Sequence, residues 1–420
     1  MFKNFFKVIS FVMFGFLAAV CVMACDLPDS SIVYYNSITN VERDIEKEQV
    51  GKHAIKDAAN ACAMVEKNGE KYRITLLKNI KSDEPLAFEN TIIDLNGYEL
   101  SFESDEGLIL SQKSEVVGTV PGSKLSINND SGATLISINR TGNVIINGGE
   151  YIVNSKNNNV IGIHVFGKAE IKNAKIIVDS LPTKNPGLTC GVRANLFSKV
   201  YVDSCNIKVT TTDGEAYGVF SGDYAEISNT DIVALANYMS NESGFTMLSI
   251  GCYSEEYLKL TDCNITGIHS GVNASGNTEI DGGTYAGYGH GGLYFCGANS
   301  TSYAQNATFV EIPMPDGYQT YGPQSTHAGF YIGGGYKQDN IVVYMDNCNV
   351  ESTSNAFVLR GTSGELNNTL YISNSSIQNQ AIRIDNDTHK LIIGTGCNFT
   401  KDVTTLPEVV ETTNEQYTKP

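Results

Sequence analysis

The stretch that decides the fold runs from His269 to Tyr331, where one short phrase occurs three times. It reads His269-Ser270-Gly271-Val272-Asn273, then His290-Gly291-Gly292-Leu293-Tyr294, then His327-Ala328-Gly329-Phe330-Tyr331. In a strand, side chains two apart share a face. Val272, Leu293 and Phe330 take one face, while His, Gly and Asn or Tyr take the other. Strands of this kind laid side by side display a row of histidines beside Asn273, Tyr294 and Tyr331, with a glycine floor between.

Outward from this stretch the phrase continues, anchored at Gly162, Gly191, Gly218 and Gly251 before it and at Ala356 and Ala381 after it. The residue after each of the nine anchors is apolar: Ile163, Val192, Val219, Cys252, Val272, Leu293, Phe330, Phe357 and Ile382. A second phrase alternates with the first. It has an aliphatic residue, a polar one, then Asn, Asp, Gly or Ser, and a second apolar residue five places on. Copies run from Leu95 to Leu100, Ile146 to Tyr151, Ile171 to Ile176, Val202 to Ile207 and Ile227 to Ile232. Further copies run from Leu260 to Ile265, Ile280 to Tyr285, Met345 to Val350 and Ile372 to Ile377, with a weaker one from Ala304 to Phe309. Two or three short strands repeating every 20 to 37 residues, with no helical segments between them, predict an all-β solenoid. Asn and Asp in the second phrase suit its turn, because both tolerate left-handed backbone angles and stack in hydrogen-bonded ladders.

These two phrases, led in by Leu76-Leu77 and Asp94-Leu95-Asn96-Gly97-Tyr98, resemble the secreted bacterial right-handed parallel β-helix proteins of the pectin-lyase-like class. The resemblance covers about Tyr72 to Thr400 and implies a right-handed parallel β-helix solenoid with a short N-terminal capping helix. It specifies fold and leaves function open, since the class holds lyases, hydrolases and adhesins alike.

The remainder of the chain frames that solenoid. Lys3 and Lys7 precede the uncharged run Val8 to Ala24, so residues 1–24 read as an export signal. Cys25 follows at a place where a lipoprotein would be acylated, which makes a lipid anchor at Cys25 one membrane route and free secretion the other. Residues 25–50 read as a polar linker. Ala54, Ala58, Ala61, Cys62 and Val65 have helical spacing and predict the capping helix, stopped at Asn68-Gly69. The solenoid with its cap then spans 51–400, and 401–420 is a polar tail expected to fray. The formal charge of −17 argues against nucleic acid and anionic membrane surfaces as partners. Eight cysteines follow Cys25. Four of them, Cys205, Cys263, Cys348 and Cys397, share one repeat position before an Asn, which predicts buried side chains in a stack rather than disulfides. No cysteine or histidine spacing suggests a metal site, and no motif calls for a cofactor.

Strands about 4.8 Å apart bring outward positions into columns. Two places before the anchors stand His269, His290 and His327. Two places after them stand His164, Arg193, Phe220, Tyr253, Asn273, Tyr294, Tyr331, Val358 and Arg383, and a further column adds Glu255, Ser275, Arg360 and Asp385. Aromatic rings and convergent polar groups in a trough are what an extended glycan needs, although a column of tyrosines is also sound cross-strand packing. Long insertions, Val310 to Thr326 with Tyr318 and Tyr321, and Val233 to Phe245 with Tyr238 and Glu242, are placed to wall the same trough. The reading that follows is an exported surface protein binding a glycan or another surface ligand, with His269, His327, Tyr253, Tyr331, Tyr318 and Tyr321 as binding residues.

Two other readings stand beside it. A polysaccharide lyase would use Asn273, His290 and Tyr294 to neutralise, deprotonate and protonate an acidic sugar. A rigid spacer of roughly 50 Å would need only the stack of coils. Polygalacturonases of the same class carry Asn-x-Asp, Asp-Asp, Gly-His-Gly and Arg-x-Lys. Asn229-Thr230-Asp231 and Gly289-His290-Gly291 match two of these, but the Asp-Asp pair is absent and Arg383-Ile384-Asp385 lacks the lysine. The two matches also belong to different phrases and hence different faces. That hydrolase mechanism is not expected.

Overall fold

The computed structural model describes residues 32–156, 159–181, 187–212, 214–236, 249–297, 299–313, 316, 327–333, 340–360, 367–378, 381–385, 388–400 and 410–419. Residues 1–24, read from sequence as an export signal, with Cys25, and the insertion residues Tyr238, Glu242, Tyr318 and Tyr321, lie outside these. Three sheets make up the molecule, of sixteen, thirteen and twelve strands, here A, B and C. The chain visits A, B and C in turn, and each strand pairs with the strands one coil earlier and one coil later in the same sheet. All pairings are parallel except among Ile32–Tyr35, Ala63–Asn68 and Lys71–Leu76 at the N-terminal end. The protein is a parallel β-helix.

Register follows the two phrases. In sheet C the residues after the anchors form one unbroken ladder, Ile163 to Val192 to Val219 to Cys252 to Val272 to Leu293 to Phe330 to Phe357 to Ile382. All but the partly buried Ile382 are shut into the core. Burying one such side chain stabilises by roughly 1.5–3 kcal/mol, so the ladder contributes to the axial cohesion of the coils. The second phrase supplies the inner face of sheets A and B, with Ile146, Ile171, Val202 and Ile227 stacked in one and Tyr151, Ile176, Ile207 and Ile232 in the other. Its first copy is displaced: Ile93, not Leu95, pairs into the sheet A ladder opposite Val116.

Between A and B the chain turns through left-handed residues, one in most coils and two at Asn96-Gly97, Gly148-Gly149 and Gly282-Gly283. Asn173, Asn229, Asn306, Asn347 and Asn374 hold φ between 49° and 56° there. Their amides bridge coils. Asn229 Nδ2 donates to Asp203 Oδ1 at 2.9 Å, Asn306 Nδ2 to Asp281 Oδ1 at 2.7 Å, and Asn347 Nδ2 to Asn306 Oδ1 at 2.7 Å. The next position holds the Cys-Asn cysteines. Cys205, Cys263 and Cys348 are buried, Cys397 is partly exposed, and all are thiols. Thr230 separates Cys205 from Cys263, and Ser375 separates Cys348 from Cys397, as the backbone bonds between successive turns show. The stack is therefore real but the sulfurs are not neighbours.

Both ends differ from what the sequence suggests. The helix, α1, is Ile38–Glu46, within the supposed linker, and it buries Ile38 and Val41. Ala58–Asn60 makes only a 3₁₀ turn, and Ala63–Asn68 is a strand. The reason is Gly69-Glu70, which works as a two-residue hairpin loop: Asn68 pairs with Lys71 and Val65 with Ile74. Buried Asp44 fastens α1 by accepting bonds from the Tyr35 hydroxyl at 3.1 Å and from the His53 backbone at 2.9 Å. Glu42 accepts the Ala87 backbone N–H at 2.6 Å, which satisfies a donor on the edge strand of sheet C.

The tail is ordered where it is described. Val410–Thr412 extends sheet A beside Lys390–Ile393, and Tyr417 is buried against Tyr371 with ring centroids 5.0 Å apart. Among the described residues no helix is long and apolar enough to cross a membrane.

Candidate functional site

The predicted column forms, but the trough is closed. His164, Arg193, Phe220, Tyr253, Asn273, Tyr294, Tyr331, Val358 and Arg383 are register partners in unbroken sequence along sheet C. The glycine floor does not share their face. A Cβ built on Gly218 or Gly251 would collide with Cγ2 of Ile232 or Ile265 in sheet B, so the anchors face inward together with the residues that follow them. This bend turns the position before each anchor outward. Ile161, Cys190, Tyr217 and Ile250 thereby form an apolar cluster apart from the core, with Phe220 and Tyr253 packed on it.

The histidines, two places before the anchors, stand at the corner between sheets B and C and do not form an exposed strip. His269 and His327 are 6% and 1% exposed, Tyr294 and Tyr331 are 9% and 2%, and Asn273 is 4%. His290 keeps part of its surface. Its Nδ1 lies 2.9 Å from His269 Nε2, and its ring lies 4.5 Å from the rings of both Tyr294 and Tyr331. His327 departs from this group. It stacks on Tyr288 at 4.6 Å and faces Glu311 across 3.9 Å. Three of the candidates therefore meet with His269, and the fourth ring belongs to a neighbouring network.

Burial sets the electrostatics. It pushes the His269 imidazole down to about 4, with His327 nearby adding to the effect. Burial and the adjacent His269 hold His290 well below the ordinary histidine range. Burial raises the Tyr331 phenol, against the hydrogen bond from Arg360. Arg360 also pairs with Asp385 at 3.5 Å, and Arg383 pairs with the same carboxylate at 2.6 Å. Asn273 Oδ1 accepts from the Cys296 thiol at 2.9 Å. His290 and Tyr331 are thus held neutral, and the acid–base candidates pack ring against ring and are mostly covered. A positively charged histidine strip near pH 6 does not arise here.

Tyr253 remains partly exposed, stacked on Phe220 at 4.9 Å, with the Arg193 guanidinium 5.8 Å from the Phe220 ring. This Arg–Phe–Tyr run is accessible, as are His164 and Arg383 at the two ends of the column.

Comparison with family models, with curated proteins and with solved structures returns no match for this chain. The site therefore rests on its own geometry.

Two features escape the sequence reading. Glu311 is buried at the end of a sheet B strand, where it accepts bonds from Ser354 N at 2.8 Å, Ser354 Oγ at 2.7 Å, Thr353 N at 3.1 Å and Ser352 Oγ. Nothing in its local sequence marks it, because its partners come from the following coil. On the outer face of sheet A, Tyr303, Tyr344 and Tyr371 stack with centroids 5.3 and 4.8 Å apart. Their recurrence one place before the Ala304, Met345 and Ile372 openings of the second phrase was the available signal. These rings lie nearly parallel, so they offer faces mainly to one another. Among the described residues no grouping of His, Cys, Asp and Glu stands ready to hold a metal ion.

Proposed function

We propose that this is an exported, surface-acting β-helix protein of the pectin-lyase-like class that binds glycan without cleaving it. The observation that carries the choice over a lyase is the 2.9 Å pairing of His290 with His269 inside a covered cluster. A lyase needs a base and a proton donor in reach of substrate, with a group to neutralise the sugar carboxylate. His290 and Tyr331 turn toward each other instead, and Arg360 is engaged by Asp385. The partly exposed Arg193, Phe220 and Tyr253 keep the types of group that pack on sugar faces and hold hydroxyls. Export, by free secretion or through a lipid on Cys25, belongs to the same reading, and the strongly acidic composition sets nucleic acid aside.

The test is a glycan-array screen of the mature protein run alongside absorbance monitoring for unsaturated uronate. Retention of a glycan with no absorbance rise is expected. Turnover of any uronate polymer, lost in His290→Ala, would replace this proposal with the lyase. Tyr253→Ala should weaken retention where the column is used, since an aromatic contact contributes about 0.5–1.5 kcal/mol beyond area.

A further inference from the structure

Among the described residues, the Asn and Asp ladder of the turns between sheets A and B is bonded within itself. Asn173 joins Asn147, Asn229 joins Asp203, Asn347 joins Asn306, and Asn374 joins Asp346. A polar ladder without such bonds lies on the outer face of sheet B, near the C-terminal ends of its strands. There Asn128, Asn154, Asp179 and Thr210 are register partners in four successive coils. None of the four side chains hydrogen-bonds another described residue, and the Thr210 hydroxyl is covered without a partner. All four line one cavity of about 740 Å³, together with Asp130, Lys156 and the 59%-exposed Leu181.

Resting on the glycan-binding reading above, we propose that this groove is the glycan site and that it takes a neutral, hydroxyl-rich chain lying along the solenoid axis. Two amides, a carboxylate and a hydroxyl supply both donors and acceptors at one set per coil, about 4.8 Å apart. That arrangement suits sugar hydroxyls, and Leu181 gives an apolar wall for a ring face. A bound chain would also satisfy the covered Thr210 hydroxyl, which costs free energy while unpaired. Charge selects against acidic glycans. Asp130 and Asp179 face the cavity, and Lys156, the one cation among the described lining residues, is committed to Asp130 at 2.9 Å. The groove stands on sheet B, away from the sheet C column that the sequence pointed to.

Binding of the full mature chain to xyloglucan, galactomannan and dextran, with polygalacturonate as the acidic counterpart, tests this by titration calorimetry. At least one neutral polymer should bind more tightly than polygalacturonate. The double variant Asn154→Ala/Asp179→Ala should weaken that binding by about ten-fold or more, with an unchanged melting temperature, because both side chains are solvent-facing. Thr210→Val serves as an isosteric check that removes only the hydroxyl. Neutral binding that survives these changes but disappears in Tyr253→Ala would overturn the groove while leaving glycan binding intact. A preference for polygalacturonate would overturn it equally. No retention of any polymer would bring down both readings.

Discussion

His290 Nδ1 and His269 Nε2 lie 2.9 Å apart, so one ring must donate and the other accept. Protonating both would set two N–H groups against each other in a covered site. Folded-state values below the ordinary histidine pKa mean that the unfolded chain binds protons more readily than the folded one. Stability from this pair is then complete above about pH 6.5 and is lost as pH falls toward 4. Melting temperature should drop across that window, and His269→Gln should flatten the slope. A melt that stays level between pH 7 and 4.5 would contradict the burial. At the turn, Asn229 holds φ at 49°. Asn229→Val should cost about 1–2 kcal/mol from the left-handed backbone alone, whereas Asn229→Gly should cost less, because glycine meets no such penalty. Equal losses in chemical denaturation would shift the cause to the amide bond with Asp203.

At the scale of elements, the interior strands were legible and the ends were not. A repeated strand announces itself through its copies, and nine anchors give nine chances to see one alternation. The cap and the tail occur once, so only local periodicity speaks for them. At Ala54 to Val65 that periodicity was outweighed by the hairpin loop at Gly69-Glu70, which pairs Val65 with Ile74. The tail reads as polar, yet it closes the last coil. Thr395 N donates to Glu415 O at 2.9 Å, Tyr417 N donates to Ser373 Oγ at 2.8 Å, and Tyr417 covers Tyr371. Removing 410–420 should bare that edge and lower the melting temperature, with association at raised concentration as unpaired strand edges meet. Light scattering and calorimetry of the truncated chain check this. An unaltered melt would make the tail an ornament on a coil that closes without it.

Across the whole molecule the site was half legible for a related reason. Register predicts which residues share a column, and the column from His164 to Arg383 forms as read. Register does not predict whether the column is open. The inward bend at the anchor glycines depends on contact between sheets B and C, and the outer clusters depend on rings from several coils. Both arise only in three dimensions. The same long-range order gives a test of the molecule as a unit. Cys190, Cys252 and Cys263 lie in the middle coils with no exposed surface, while Cys296 and Cys397 are partly exposed. Burial pushes the Cys190 thiol up to about 12, and it raises Cys397 as well, so neither reacts by acidity. Accessibility must decide the order. In the native protein a small alkylating reagent should modify Cys296 and Cys397 first. The mid-solenoid thiols should resist until denaturant unfolds the stack, then react together, because each coil is held by both neighbours. Mass spectrometry of pulse-labelled protein reads this directly. Early labelling of Cys252 in native buffer would mean that the central coils open locally. A non-reducing mobility shift would mean instead that thiols have paired, which the separation of the cysteines by Thr230 and Ser375 opposes.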